Sequence, residues 1–204
     1  MSVLRLDHLA VSCTTLAEGV SAVEAALGVA MAPGGQHAHM GTHNRLLSLG
    51  DLYLEVIAID PGAPVPAWPR WFDLDHFSGP PRLTNWVAGC DDLAVAVAAS
   101  PAGVGVPVAL SRGDFRWQMA VPADGCLPFD GAFPALIQWQ GATPAARLPG
   151  AGLRLDRLTI RHPQAAALRQ ALAGRITDTR LIIAAGPAGM EARIATPHGL
   201  RVLN

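Results

Sequence analysis

The chain contains no lysine; all fifteen basic residues are arginine. Lysine Schiff-base catalysis is therefore excluded. Charge is sparse in general: only 15% of the residues are charged, and the net charge is −1. Neither a basic face for nucleic acid nor one for an anionic membrane is expected from that balance. Cysteine is scarce too. Cys13, Cys90 and Cys126 are odd in number and widely spaced, giving neither a zinc pattern nor a disulfide framework, which predicts a reducing, cytoplasmic setting. The opening run MSVLRLDHLAVS is interrupted by Arg5, Asp7 and His8 and does not read as a signal peptide. Leu93 to Leu110 is free of charge, but Pro101, Gly103, Gly105 and Pro107 break it into helix, turn and strand.

What is present is apolar sequence with a repeating plan. Half of the 204 residues are hydrophobic, enough for one globular domain with a sizeable core. Three stretches look alike: LRLDHLAVS from Leu4, PRLTNWVAG from Pro81 and LRLDRLTIR from Leu153. Each alternates as a strand does, with Leu6, His8 and Ala10 set against Asp7, Leu9 and Val11 in the first copy. Each leads through a turn into an Ala- and Leu-rich helical segment that Gly28 ends in the first copy and Gly174 in the third. Two or three further strands follow. The predicted fold is α+β: tandem βαβββ modules over 1–60, 81–141 and 151–204 join in a cupped, barrel-like mixed sheet. The connector 61–80 carries Trp68, Trp71, Phe72 and Phe77, too apolar for a free linker, and is expected to pack over a face or mouth of the sheet.

His8 lies in the first strand and Glu55 in the last strand of the first module, LYLEVIAI, which is apolar on both faces. A carboxylate there must be paired, protonated or bound to a cation. Two readings are open: metal ligands or a base facing a cavity, or a structural pair, either a buried His–Glu hydrogen bond or a pair facing solvent. Overlaying the modules sets Asn85 on His8, and overlaying LEV on IQW sets Gln138 on Glu55, so four polar residues could converge. The loop GGQHAHMGTHN holds His37, His39 and His43, but no carboxylate beside them, so it does not read as a metal site by itself.

The sequence LDHLAV, then GGQHAHMGTHN, then LYLEVIAID resembles the glyoxalase-like domain family of the glyoxalase/extradiol dioxygenase, or vicinal oxygen chelate, superfamily. Gly34, Gly35, His37, Gly41, Thr42 and Asn44 match that family's middle motif. The resemblance is most specific from Leu6 to Asp60. It implies a glyoxalase/extradiol dioxygenase-like sheet and an enzyme, a lyase, isomerase or dioxygenase, acting on a small oxygenated molecule. It also implies a divalent metal (Zn, Ni, Mn or Fe) held by His8, Glu55 and Gln138. Asn85 and Gln138 are not the superfamily's usual ligands. Glu55 is implied as ligand or general base.

His37, Thr42, Asn44 and Asn85 are the candidates to bind substrate oxygens, with Arg112 as a carboxylate clamp beside Trp117. Thr42 and Asn44 could instead satisfy loop backbone groups. His39 and His43 read as ordinary loop residues, and Asp73, Asp75 and His76 as a solvated turn beside packed aromatics. GPAGMEA lacks a phosphate loop's lysine and setting, so no nucleotide cofactor is expected. The alternative to an enzyme is a metal-free binding or sequestering protein of the same fold, with a homodimer as an open arrangement and a small molecule as the partner in either case.

Overall fold

A computed structural model describes residues 2–204. The first module runs β1 (Arg5–Ser12), α1 (Leu16–Leu27), β2 (Gln36–His37), β3 (Thr42–Ser48) and β4 (Tyr53–Ile59). The second runs β5 (Arg82–Gly89), α2 (Leu93–Ala98), β6 (Val106–Arg112), β7 (Phe115–Val121) and β8 (Ala135–Trp139). The third runs β9 (Arg154–His162), α3 (Ala165–Leu172), β10 (Leu181–Ala185), β11 (Gly189–Thr196) and β12 (Gly199–Leu203). The first two modules share an eight-stranded sheet ordered β2-β3-β4-β1-β5-β8-β7-β6. β1 and β5 meet antiparallel at its centre, and each has its own module's last strand parallel on the far side. The third module does not extend that sheet. It forms its own four strands, ordered β10-β9-β11-β12.

The physical reason lies in strand order. In the first two modules the strand after the helix lies at the outside of the half-sheet, and the last strand returns beside the first. In the third, β10 follows the helix directly and pairs parallel with β9, while β11 takes the other side of β9. Both flanks of β9 are then occupied, and the small sheet is left to pack through its apolar face. Leu155, Leu158, Ile160, Ala192 and Ile194 join the helix-side core with Leu9, Val11, Leu54 and Trp86. Arg175 ties the units further. Its buried guanidinium donates to the carbonyls of Ala96 and Ala99, closing the carboxyl end of α2.

The alternation read from the strands accounts for two cores. One face of β1 and β4 buries Leu9, Val11, Leu54 and Val56 under the helices. The other, concave face carries Ala10 and Ile57, with Val87, Trp117, Met119 and Ile137 from the second module. The connector folds onto this concave face, where Trp71, Phe72 and Leu74 are buried among those residues. Phe72 and Asp73 are held there at φ 60° and 53°, a left-handed backbone that side chains rarely adopt. The Asp73 N–H bonds to the Gly125 carbonyl and the Arg70 guanidinium to Asp75, which pins the segment from both sides.

Helix α1 begins where the Thr15 hydroxyl accepts the Glu18 N–H and ends at Gly28 in the left-handed conformation (φ 71°). It lies unusually close to the sheet because Gly19 faces it. A Cβ there would stand 2.5 Å from Val56 and 2.4 Å from the Cys13 sulfur. Gly→Ala normally favours a helix by about 1 kcal/mol. Here the overpacking outweighs that gain, and Gly19→Ala is expected to destabilise the protein by about 1–3 kcal/mol in urea unfolding. A stabilised Gly19→Ala protein would contradict this packing.

Candidate functional site

β1 does not keep the alternation its sequence suggests. Leu6 pairs with Ala88 and His8 with Val87, so Asp7 is an extra residue, a bulge. Strict alternation had placed Asp7 opposite His8. The bulge instead lets the two act together. The Nδ1 of His8 lies 2.6 Å from Asp7 Oδ1, and the Trp139 indole N–H donates to Asp7 Oδ2 at 2.8 Å. His8 Nε2 then faces Glu55 Oε2 across 3.5 Å, while the imidazole stacks on Tyr53 with ring centres 4.4 Å apart. Asp7, His8 and Glu55 thus form a row from the bulge of β1 to the middle of β4, buried at its His8–Glu55 end.

The loop residues close the other side. The Asn44 amide N–H donates to Glu55 Oε1 and lies 3.4 Å from His37 Nε2. Its Oδ1 accepts from the Gly35 N–H at 2.9 Å and from Arg112 at 2.7 Å. Donors on one side and acceptors on the other fix the amide orientation. With Nε2 accepting from Asn44, the Nδ1–H of His37 points to the Thr42 hydroxyl, 3.1 Å away. The paired glycines of the loop have a steric cause. A Cβ on Gly34 would lie 2.0 Å from the Asn44 carbonyl oxygen, and one on Gly35 would lie 2.8 Å from Arg112 Cδ. Only glycine lets both Asn44 and Arg112 come this close.

His8, Glu55, His37, Asn44, Arg112 and Trp117 all line one small cavity of about 20 Å³, closed by Trp71 and Phe72. That is room for roughly one water molecule. Asp7, Tyr53 and Trp139 also build this site and escaped the sequence reading, while Trp71 comes from the connector expected over the mouth of the sheet. The bulge hid Asp7, and Tyr53 and Trp139 carry no motif signal. Thr42 stands behind His37 rather than facing the cavity.

Two expectations are corrected. Gln138 does not join His8 and Glu55: its Oε1 accepts the Leu93 N–H at 2.9 Å and caps the start of α2 on the helix side. The overlay behind it was three residues out of step. β1 and β5 share one burial pattern, so Ala10 and Val87 are equivalent. Ala10 faces Glu55 and Val87 faces Ala135, which makes Ala135 the counterpart of Glu55. Asn85 is on the concave face as the counterpart of His8, but it lines a separate chamber of about 440 Å³ that Phe72 also borders. The second module therefore offers an amide and a methyl group where the first has imidazole and carboxylate.

A divalent ion does not fit this donor set. Among the described residues, no three of His, Cys, Asp or Glu are grouped to hold one. Asp7 engages the far nitrogen of His8, and His37 Nε2 stands 4.0 Å from Glu55 beside the Asn44 amide. The charges are settled by protons instead. Burial opposes a charged His8, but its bonds to Asp7 and Glu55 outweigh this and raise its pKa to about 9. Burial likewise opposes a charged Glu55, and contact with His8 and Asn44 overrides it, lowering the pKa to about 2. His37 has burial against it and only a distant carboxylate in its favour, so its pKa falls to about 4. At neutral pH the site holds imidazolium His8, carboxylate Glu55 and neutral His37.

Comparison with known proteins agrees with this architecture. The family model described as a glyoxalase-like domain matches residues 6–176. A search of curated proteins finds no match. A hypothetical protein from Staphylococcus aureus has a similar structure, with a TM-score of 0.64 at 12% identity over 92% of this chain and 88% of that one. A Streptomyces coelicolor methylmalonyl-CoA epimerase in complex with 2-nitronate-propionyl-CoA gives 0.45 at 16% identity, over 69% of this chain and 99% of its own. The Mycobacterium tuberculosis methylmalonyl-CoA epimerase gives 0.44 at 18% identity, over 70% and 91%. The likeness to the Staphylococcus aureus protein, at 12% identity, concerns the fold alone. No helix among the described residues is long and apolar enough to cross a membrane.

The protonation pattern makes stability depend on pH from both sides. His8 has a folded pKa of about 9, above its ordinary 6.5, so its contribution is complete below about pH 6.5 and is lost as pH rises through 9. His37, lowered to about 4, resists a proton that the unfolded chain accepts, so stability falls as pH drops from 6.5 towards 4. The thermal midpoint should therefore peak near pH 6.5. His8→Gln should flatten the alkaline limb, and His37→Asn should flatten the limb between 6.5 and 4. Calorimetry across this range checks both limbs; an alkaline limb that survives in His8→Gln would contradict the assigned charge.

Proposed function

The chain belongs to the glyoxalase-like domain family, and from that premise we propose that it is an enzyme moving a proton at a carbon beside a carbonyl group of a small oxygenated molecule. One observation carries the reading: the buried side chains of Glu55 and His8 face each other at 3.5 Å in the wall of a cavity that is otherwise largely aromatic. Such paired, oppositely perturbed groups suit general acid–base chemistry.

The roles follow from the hydrogen bonds. A substrate carbonyl oxygen takes the Nε2–H of His8, which Asp7 holds from behind. Glu55 then loses the contact that depresses its pKa and becomes a stronger base. It takes the proton from the adjacent carbon, and the negative charge growing on oxygen is met by the imidazolium. Where the deprotonated carbon bears a hydroxyl, transfer of the hydroxyl proton to the enolate oxygen and return of the abstracted proton from Glu55 to the former carbonyl carbon give the carbonyl isomer; reprotonation of the planar enolate on its opposite face gives the epimer. Neutral His37 and Asn44 hold a second oxygen of the substrate, and Arg112 steadies Asn44. Thr42 fixes the His37 tautomer. The aromatic closure by Trp71 and Phe72 must swing aside for entry, since the cavity as it stands holds only about 20 Å³.

The neutral Asn85 and Ala135 of the second module and the aromatic connector over the cup favour a second reading, a protein that binds a small molecule without converting it. Incubation in D₂O with a panel of 2-hydroxy ketones, 2-hydroxy aldehydes and 2-oxo acids separates the two. Loss of the proton signal beside the carbonyl of at least one compound is expected, slowed by about 10²–10⁴-fold in Glu55→Gln and similarly in His8→Gln. Wild-type exchange rates in Glu55→Gln would overturn the assignment. Ligand-induced thermal stabilisation without exchange of any compound would support the binding reading.

A further inference from the structure

Arg112 has two surroundings. Its Nη1 reaches inward to Asn44 Oδ1 at the inner cavity, and its stem also walls an outer groove of about 520 Å³. The groove runs between the Pro33–Gln36 loop, the β6–β7 turn and Pro144–Leu148. Its floor is the ring of Phe115, with the Arg112 guanidinium 5.7 Å and the Arg147 guanidinium 4.8 Å from the ring centre. The aromatic surface is continuous inward: Phe115 meets Trp139 edge-on at 6.1 Å, and Trp139 meets Trp117 at 5.3 Å. The carboxylate at this groove is Asp114, an exposed side chain 3.8 Å from Arg147. The groove is thus an aromatic platform with two guanidiniums against one loosely placed anion.

We propose that this groove is a second subsite, which binds an anionic substituent, carboxylate or phosphate, on an aromatic or flat portion of the ligand whose oxygenated head reaches Glu55. Size argues for it: the inner cavity as it stands holds about one water molecule, while the outer groove is more than twentyfold larger and shares Arg112 with it, so the bulk of a ligand fits only outside. Chemistry argues for it as well. A guanidinium can clamp an oxyanion through two parallel N–H groups while its face lies on an aromatic ring. An entering anion replaces Asp114 at Arg147. The position of the head group rests on the proton-transfer reading above; the groove's preference for an anion does not.

The test uses probes that carry no exchangeable carbon position, so that it succeeds or fails apart from the catalytic assignment. Benzoate, phenyl phosphate and benzyl alcohol are titrated calorimetrically into the 204-residue chain. At least one anionic probe should bind about tenfold or more tightly than the alcohol, and comparison of the two tells carboxylate from phosphate preference. Arg147→Gln should weaken the anion by about tenfold, and Asp114→Asn should tighten it. Arg157→Gln removes the same charge from an exposed residue of β9, outside the groove, and should leave the affinity unchanged. Equal affinity for all three probes, no detectable binding, or equal losses in Arg147→Gln and Arg157→Gln would overturn the subsite. Deuterium exchange without anion binding would remove the subsite alone; anion binding without deuterium exchange would remove the catalytic reading alone.

Discussion

The structure around the cup depends on keeping one charge, that of Glu55, inside a strand apolar on both faces. A buried carboxylate without partners would take up a proton or destabilise the sheet. Here it gains an imidazolium on one oxygen and an amide N–H on the other. Each partner needs its own support. His8 stays protonated because Asp7 stands behind it, and Asp7 is there because β1 bulges. Asn44 presents its N–H to Glu55 because Gly35 and Arg112 occupy its oxygen. One buried charge on β4 thus specifies residues on three other strands and a loop, and explains why the loop carries paired glycines.

The two halves of the large sheet have diverged around that constraint. They keep the same strand order and the same burial pattern in their central strands. The first half keeps the ionisable pair. The second has Asn85 and Ala135 at the equivalent places and fills much of its concave face with Trp117, Met119 and Ile137. The connector lies over this apolar wall and divides the cup, with Phe72 bordering both chambers. Chemistry is therefore concentrated at one end of a duplicated frame, where apolar walls strengthen each charge interaction.

Much of the frame was legible in the sequence. The strand and helix signals of all three modules fall on observed elements, and the Trp-rich connector does pack across the mouth of the sheet. His8 and Glu55 were named from their places in matching apolar strands, His37 and Asn44 from the loop motif, and Arg112 only as an arginine near the strand that holds Trp117; all six line one cavity. Asp7 was not, because a bulge leaves no mark in the pattern and reverses the face of a residue. Gln138 was misplaced for a related reason. Matching LEV to IQW by polarity shifted the overlay by three positions, and strand register is set by pairing with neighbours rather than by resemblance of triplets.

The sequence alone determined the duplicated strand–helix–strand plan, the placing of one carboxylate in a strand apolar on both faces and the absence of lysine chemistry, since composition and periodicity are properties of the chain itself. Tertiary structure decided that the third module closes on its own sheet, that Asn85 and Gln138 leave the site, and that His8 and Glu55 are ionised while His37 is neutral. Those outcomes depend on which groups lie within a few ångströms after folding, and residues as distant in sequence as Asp7 and Trp139 meet only there.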